Sequence, residues 1–230
     1  MKTAIILLSG GLDSATTCAI AKSHGFELYG LSFFYGQRHK IELESAQKIA
    51  NFFQFKEYKV ANIDLRIFGG SALTDDIAVP KNHDEIINNQ IPITYVPARN
   101  TVFLSYALAY SEVISCFDIF IGVNAVDYSG YPDCRKEFID AYEKMANLAC
   151  ASTVQNKGKI KIHTPLIDLK KSQIIKIGEQ LGVDYSITHS CYDPIEINHE
   201  FYSCGKCDSC KIRLKGFKDA GLIDQIKYVE

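Results

Sequence analysis

Thr3-Ala4-Ile5-Ile6-Leu7-Leu8-Ser9-Gly10-Gly11-Leu12-Asp13-Ser14 decides the architecture: an apolar run suited to a buried strand, a glycine turn, then a helical pattern beginning at Ala15. A strand that feeds such a turn brings unpaired backbone N–H groups and the positive end of a helix dipole to one point, where an anion is stabilised. Gly10 and Gly11 permit unusual φ angles and close backbone approach. Ser9 and Ser14 add hydroxyl donors. Asp13 is out of place in an anion site unless a cation accompanies it, which points to a magnesium nucleotide. The glycines space neither as G-x-x-x-x-G-K-[ST] nor as G-x-G-x-x-G, so kinase and dehydrogenase readings lose ground.

Working outward, apolar β-rich runs at Thr3–Leu8, Leu28–Phe34, Glu57–Ile63 and Phe117–Gly122 alternate with helical patterns at Ala15–Ser23, Lys40–Phe53 and Thr101–Ser115. Alternation of this kind predicts parallel strands joined by right-handed crossover helices, with both sheet faces covered. Thr101–Ser115 is apolar almost all round and is expected to be a buried helix. Between Asp64 and Pro97 the pattern dissolves into Gly69-Gly70, Asp75-Asp76 and Asn88-Asn89, a stretch read either as an active-site lid or as a floppy insertion. An amphipathic helix follows at about Lys170–Leu181, ended by Gly182. Lys170 and Lys171 at its start are expected to be solvated, with one of them able to reach the phosphates of ATP as the alternative.

The 230 residues suit one α/β domain, 1–185, with a small appendage, 186–230. With 25 basic and 27 acidic side chains the charge balance gives no sign of nucleic-acid binding and favours a small-molecule substrate. Neither a cleavable leader nor a membrane-spanning run is expected at the N-terminus, so the chain is read as cytoplasmic. Of eight cysteines, Cys204-x2-Cys207-x2-Cys210 together with Cys191, thirteen positions earlier, supply the four thiolates of a closed tetrahedral Zn²⁺ site. An iron–sulfur cluster is the rival for that spacing. Cys18, Cys116, Cys134 and Cys150 are scattered and read as packing residues.

The segment Ser9–Ser14 resembles the SGGxDS loop of the N-type ATP pyrophosphatases, which cleave ATP between its α and β phosphates. Further pieces narrow the resemblance: Phe34-Tyr35-Gly36-Gln37-Arg38-His39, Tyr95–Thr101, Asp127–Arg135, Thr188-His189-Ser190-Cys191-Tyr192 and the terminal cysteines. Read in order, these are similar to the 7-cyano-7-deazaguanine synthases of queuosine precursor biosynthesis. The resemblance implies a doubly wound, mostly parallel α/β sheet of the adenine nucleotide alpha hydrolase kind with a C-terminal zinc-binding segment. It also implies a homodimer, and an ATP-dependent ligase that turns 7-carboxy-7-deazaguanine and ammonia into the nitrile with release of AMP and diphosphate.

Under that reading Ser9, Asp13 and Ser14 are the catalytic candidates, and Leu8, Ser9, Gly10, Gly11, Leu12, Asp13, Ser14, Ala15, Thr16, Thr17, Cys18 and Arg99 bind the nucleotide. Asn100, Asp127, Tyr131, Asp133 and Arg135 are the substrate candidates, because a deazaguanine edge is met by a carboxylate and its carboxyl group by a cation. Each has a plainer role open to it: Asn100 as a helix cap, the aspartates as turn formers, the tyrosine as packing. Two rival functions remain at this point. One is a tRNA-modifying sulfur transferase with the same adenylation loop; the other is a noncatalytic zinc module that binds nucleotide or nucleic acid.

Overall fold

A computed structural model describes residues 2–37, 41–81, 91–126 and 130–229. Five strands, β1 (Lys2–Leu7), β2 (Phe26–Phe34), β3 (Glu57–Asn62), β4 (Asp118–Ile121) and β5 (Lys161–His163), form one sheet in the order β3-β2-β1-β4-β5. Every neighbouring pair is parallel. In the central strand, Ala4 stands opposite Leu28 on one side and Asp118 on the other.

Side-chain alternation along β1 builds two cores. Ile5 and Leu7 face α3 (Arg99–Ile114) and α4 (Lys136–Ala149), joining Leu104, Ala107, Ile139 and Ala146. Ala4, Ile6 and Leu8 face the other way, joining residues of α1 (Leu12–Ser23), α2 (Ile41–Phe52) and α6 (Lys171–Gln180) such as Cys18, Ile49 and Ile174. Each fully buried Ile or Leu contributes roughly 1.5–3 kcal/mol, so a strand apolar on both faces anchors both layers.

The expected strands and helices are present, with ends shifted by a few residues. Four features lie outside the expectation. The helix α4 with the short α5 (Ala151–Val154), the three-residue edge strand β5, the antiparallel hairpin of β6 (Ile195–Ile197) and β7 (Glu200–Tyr202), and the C-terminal helix α7 (Asp208–Ala220) were not legible as elements. Strands of three residues are too short to show a period of two. The buried-helix reading of α3 is corrected: Tyr106 and Val113 are 43 % and 80 % exposed, because the sheet covers one side of this helix only.

The stretch after β3 is packed rather than loose over its described parts. Leu65, Ala72, Leu73, Val79 and Val96 are buried, the Ala72 N–H donates to the Ile93 carbonyl at 2.8 Å, and Lys81 forms an antiparallel bridge with Cys207. Asn88-Asn89 lies outside the described residues. The tail packs α7 along α6 and places Phe217 in the core beside α1. No helix among the described residues is long and apolar enough to cross a membrane.

Candidate active site

From β1 the chain moves outward through β2 to β3, with α1 and α2 on one face, then returns through α3 on the other face to β4, next to β1. The reversal leaves a crevice beyond the carboxyl ends of β1 and β4, where open α/β sheets bind ligands. A cavity of about 220 Å³ occupies it, walled by Leu8, Ser9, Gly11, Leu12, Asp13 and Ser14 on one side and by Gly122, Val123 and Asn124 on the other. The end of β2, through Phe33, Tyr35 and Gln37, closes a third side.

Hydrogen bonds within the loop fix its shape. Ser9 Oγ donates to Ser14 Oγ at 3.2 Å, Ser14 Oγ to the Gly11 carbonyl at 2.9 Å, and the Gly11 N–H to Ser9 Oγ at 3.3 Å. Helix α1 starts immediately behind, so its first-turn N–H groups lack intrahelical acceptors and face the turn. Gly10 sits at φ +85°, and a Cβ there would lie 2.1 Å from the Glu42 carbonyl oxygen. Both the left-handed backbone and the approach of α2 require glycine. Gly10→Ala is therefore expected to displace the loop and raise the apparent Kd for ATP by at least about tenfold, the equivalent of ~1.4 kcal/mol. Nucleotide titration by calorimetry checks it, and unchanged affinity would refute the packing argument.

For Lys171 the solvated reading is corrected, and the alternative of a lysine near the phosphate loop is the one that fits its position. It is buried, not solvated, and its Nζ donates to both carboxylate oxygens of Asp13, at 2.7 and 2.8 Å. The cation demanded beside Asp13 is thus already supplied by the chain, and Asp13 alone no longer requires a metal. Two features carry Lys171 there. Asn124, 1 % exposed, donates from Nδ2 to the Leu166 carbonyl at 2.9 Å and so holds the turn before α6. Gly216 on α7 lies against the lysine stem, where a Cβ would be 2.4 Å from Cγ. No local signal in Lys170-Lys171 announces this.

The far wall is aromatic and basic. The Arg99 guanidinium lies 5.8 Å from the Tyr35 ring centre, and Tyr131 packs on Tyr95 with ring centres 5.7 Å apart while its hydroxyl meets Thr94 Oγ1 at 2.8 Å. Arg99, Asn100 and Tyr131 reach the cavity wall, as does Glu42, which the sequence did not single out. Burial pushes the Glu42 carboxyl up to about 7, against the opposing effect of Arg99.

Other candidates lie elsewhere. Asp133 is 5 % exposed and its Oδ2 accepts the Asn100 N–H at 3.0 Å, while Asn100 Nδ2 donates to the Asp133 carbonyl at 3.0 Å. That carboxylate ties down the start of α3, behind the cavity wall, and burial raises its pKa. Arg135 is exposed ahead of α4. Asp127 lies outside the described residues. Ala15, Thr16, Thr17 and Cys18 run on from the cradle into the buried body of α1, where Thr16 Oγ1 meets the Tyr185 hydroxyl at 2.8 Å and Thr17 Oγ1 donates to the Asp13 carbonyl at 2.9 Å.

Cys191, Cys204, Cys207 and Cys210 converge as expected, all buried, with their sulfurs within 4.8 Å of one another. A tetrahedral zinc with Zn–S near 2.3 Å needs sulfurs about 3.8 Å apart, so the set fits with slight contraction. Backbone N–H groups of Cys204 and Cys207 donate to the sulfurs of Cys191 and Cys204 at 3.2 and 3.3 Å, which favours thiolates. The other four cysteines are buried away from this cluster. Arg213 of α7 secures the same region: it pairs with Asp224 at 2.7 Å and donates to Thr188 Oγ1 at 2.8 Å and Ser190 Oγ at 3.2 Å. The neighbouring His189 N–H donates to the Gly10 carbonyl at 2.9 Å, linking the cysteine segment directly to the cradle.

The family model described as "Queuosine biosynthesis protein QueC" matches residues 3–221. The chain belongs to the QueC family. Among its relatives, the 7-cyano-7-deazaguanine synthase of Desulfatibacillum aliphaticivorans is 60 % identical over 227 residues, covering 98 % of this chain and 96 % of the relative. The synthase of Paramagnetospirillum magneticum is 59 % identical, covering 99 % of both. Solved structures share the QueC chain's fold at low identity. A predicted tRNA methyltransferase subunit from Methanocaldococcus jannaschii superposes with a TM-score of 0.50 at 18 % identity, over 100 % of this chain and 93 % of its own. A 4-thiouridine synthetase in an RNA complex with bound ATP also scores 0.50, at 14 % identity, over 96 % of this chain and 50 % of its own. The sulfur-transferase and noncatalytic alternatives are not favoured by the family match.

Proposed function

We propose that this QueC-family chain is an ATP-dependent ligase that converts 7-carboxy-7-deazaguanine and ammonia to 7-cyano-7-deazaguanine, releasing AMP and diphosphate. The observation that carries the reading is its identity of about 60 % with named synthases over nearly the whole chain. The cradle and the Arg99 wall meeting in one cavity support it. A carboxylate is a poor electrophile, and transfer of AMP to it creates a mixed anhydride that ammonia can attack. A second ATP would activate the resulting amide at its oxygen, and loss of AMP with both amide protons leaves the nitrile. The loop N–H groups with Ser9 and Ser14 hold the departing diphosphate, and Lys171 sets a fixed positive charge beside it, held by Asp13.

Asn100 and Tyr131, which line the cavity, would receive the base, Arg99 would meet the nucleotide and Asp133 would act through Asn100, with Asp127 and Arg135 as the remaining substrate candidates. Magnesium entering with ATP would neutralise phosphate charge, and Asp13, the loop carboxylate expected to seat it, would share its oxygens between the metal and Lys171. Cys191, Cys204, Cys207 and Cys210 would hold one structural zinc. The same reading carries a cytoplasmic homodimer acting on small molecules and not on nucleic acid.

The test is direct: purified protein, Mg-ATP, ammonium and 7-carboxy-7-deazaguanine, with AMP, diphosphate and the base followed by mass spectrometry. Substrate-dependent AMP together with the nitrile is expected. AMP no higher than in the control without substrate, from folded and metal-loaded protein, would defeat the reading.

A further inference from the structure

A small pocket of about 10 Å³, room for one water-sized molecule, is walled by Tyr35, Gln37, Glu42, Leu73, His189, Cys191 and Tyr192. All but Cys191 also line the main cavity, so the pocket opens directly off it. Its polar groups are largely committed. Gln37 Oε1 accepts the Tyr35 N–H at 2.7 Å and its Nε2 donates to the Phe33 carbonyl at 3.1 Å. His189 Nε2 is hydrogen-bonded to the Cys191 carbonyl at 2.8 Å. Glu42 is the one carboxylate among the described wall residues, and Tyr35 and Tyr192 share the wall with it.

We infer that this side pocket is the ammonium site of the reaction, with Glu42 binding the cation and accepting the proton that frees its lone pair. The inference rests on the proposed function, which requires ammonia but does not say where it waits. Ammonia and water are alike in size, so volume alone does not select between them. The charge of the Glu42 carboxylate attracts the cation and gives neutral water no comparable gain. Ammonium has no lone pair, so it must lose a proton before it can attack. In the step, ammonium gives one proton to Glu42, its nitrogen forms the bond to the acyl carbon, and the C–O bond to AMP breaks with AMP taking the electron pair. The nitrogen then sheds its second proton to solvent, leaving the neutral amide.

Burial sets the Glu42 carboxyl near the pH at which the exchange must run. The groups that act on it are Tyr35, just past the end of β2, and Arg99 from α3, and His189 and Tyr192 from the segment before the hairpin line the same pocket. Arg99 opposes the rise and is itself turned onto the Tyr35 ring.

The experiment compares wild type, Glu42→Gln and Glu42→Asp by two readouts. Adenylation is measured without ammonium, as substrate-dependent exchange of labelled diphosphate into ATP, and amide formation is measured against ammonium chloride. The ratio of kcat/KM for ammonium to the adenylation rate is expected to fall about a hundredfold in Glu42→Gln and to recover in part in Glu42→Asp. In wild type, kcat/KM for ammonium should carry a rise through about pH 7 as Glu42 ionises, and Glu42→Gln should lose it. An unchanged ratio, or adenylation falling in step with amide formation, would overturn the assignment. Wild type that fails to exchange diphosphate at all would instead overturn the function on which it rests. Thermal unfolding of each variant separates these outcomes from misfolding.

Discussion

Lys171→Ala is expected to slow substrate-dependent AMP formation by about 10²–10³, the range seen when one preorganised electrostatic donor is removed from a reacting centre. The reason is geometric. Lys171 is the cation that Asp13 holds in the wall of the cavity behind the glycine loop, at 2.7 and 2.8 Å from the two carboxylate oxygens. Its stem is confined by Gly216 of α7, so the ammonium group is presented at one place and does not sample solvent. The cost to folding should be smaller than the cost to rate. Breaking a fully buried pair costs roughly 3–5 kcal/mol, but the Asp13 side chain is 20 % exposed and can recover water once its partner is gone. Lys171→Arg should not rescue, because both Asp13 oxygens meet a single compact ammonium, and a longer planar guanidinium would not set its charge at the same point. Single-turnover AMP release measured across a range of ATP concentrations up to saturation decides the matter. A loss confined to KM for ATP would make Lys171 a ground-state binder, and a rate within threefold of wild type would remove it from the machinery.

Why that lysine escaped the sequence while the cradle did not is a question of range. Leu8 to Ser14 is a local pattern in which strand, glycine turn and helix start lie within one short stretch. The four cysteines are equally local, and the spacing of their sulfurs follows from one turn and one helix start. The Lys171–Asp13 pair spans 158 positions and exists only because α6 packs beside α1. A Lys-Lys pair opening a helix looks the same whether it faces water or a ligand.

Glu42 is similar: its carboxyl enters the cavity because α2 leans on Gly10, a contact that no periodicity encodes. Asp133 shows the reverse error. Its neighbourhood was legible as functional, yet Oδ2 serves the backbone at the start of α3, a role that depends on where that helix lies. Helix α3 itself was legible as a helix but not as a half-exposed one, since composition does not say how much of it the sheet covers.

Loss of the metal at the cysteine cluster is expected to remove activity as well as stability, although no cysteine of the cluster other than Cys191 touches either pocket. The cluster joins three pieces of chain. Ala72 and Val79 pack on it from the stretch after β3, Lys81 bridges to Cys207, and Cys207 opens α7. From α7, Gly216 confines Lys171 and Arg213 holds Thr188 and Ser190, while Cys191 leads directly to His189 and Tyr192 of the cavity wall. Cys207→Ser exchanges a soft thiolate for a hydroxyl in a site that is 0 % exposed, leaving three thiolates crowded without full compensation. At ~3 kcal/mol and about 2–4 °C per kcal/mol for a chain of this size, Tm should fall by about 6–12 °C. Cys150→Ser, buried but far from the cluster, should leave metal content unchanged. Elemental analysis of wild type should return one zinc per chain, and iron in its place would overturn the zinc assignment. A Cys207→Ser protein that lost its metal yet formed AMP at the wild-type rate would show that the cradle holds its shape alone, and would cut the link from α7 through Gly216 to Lys171.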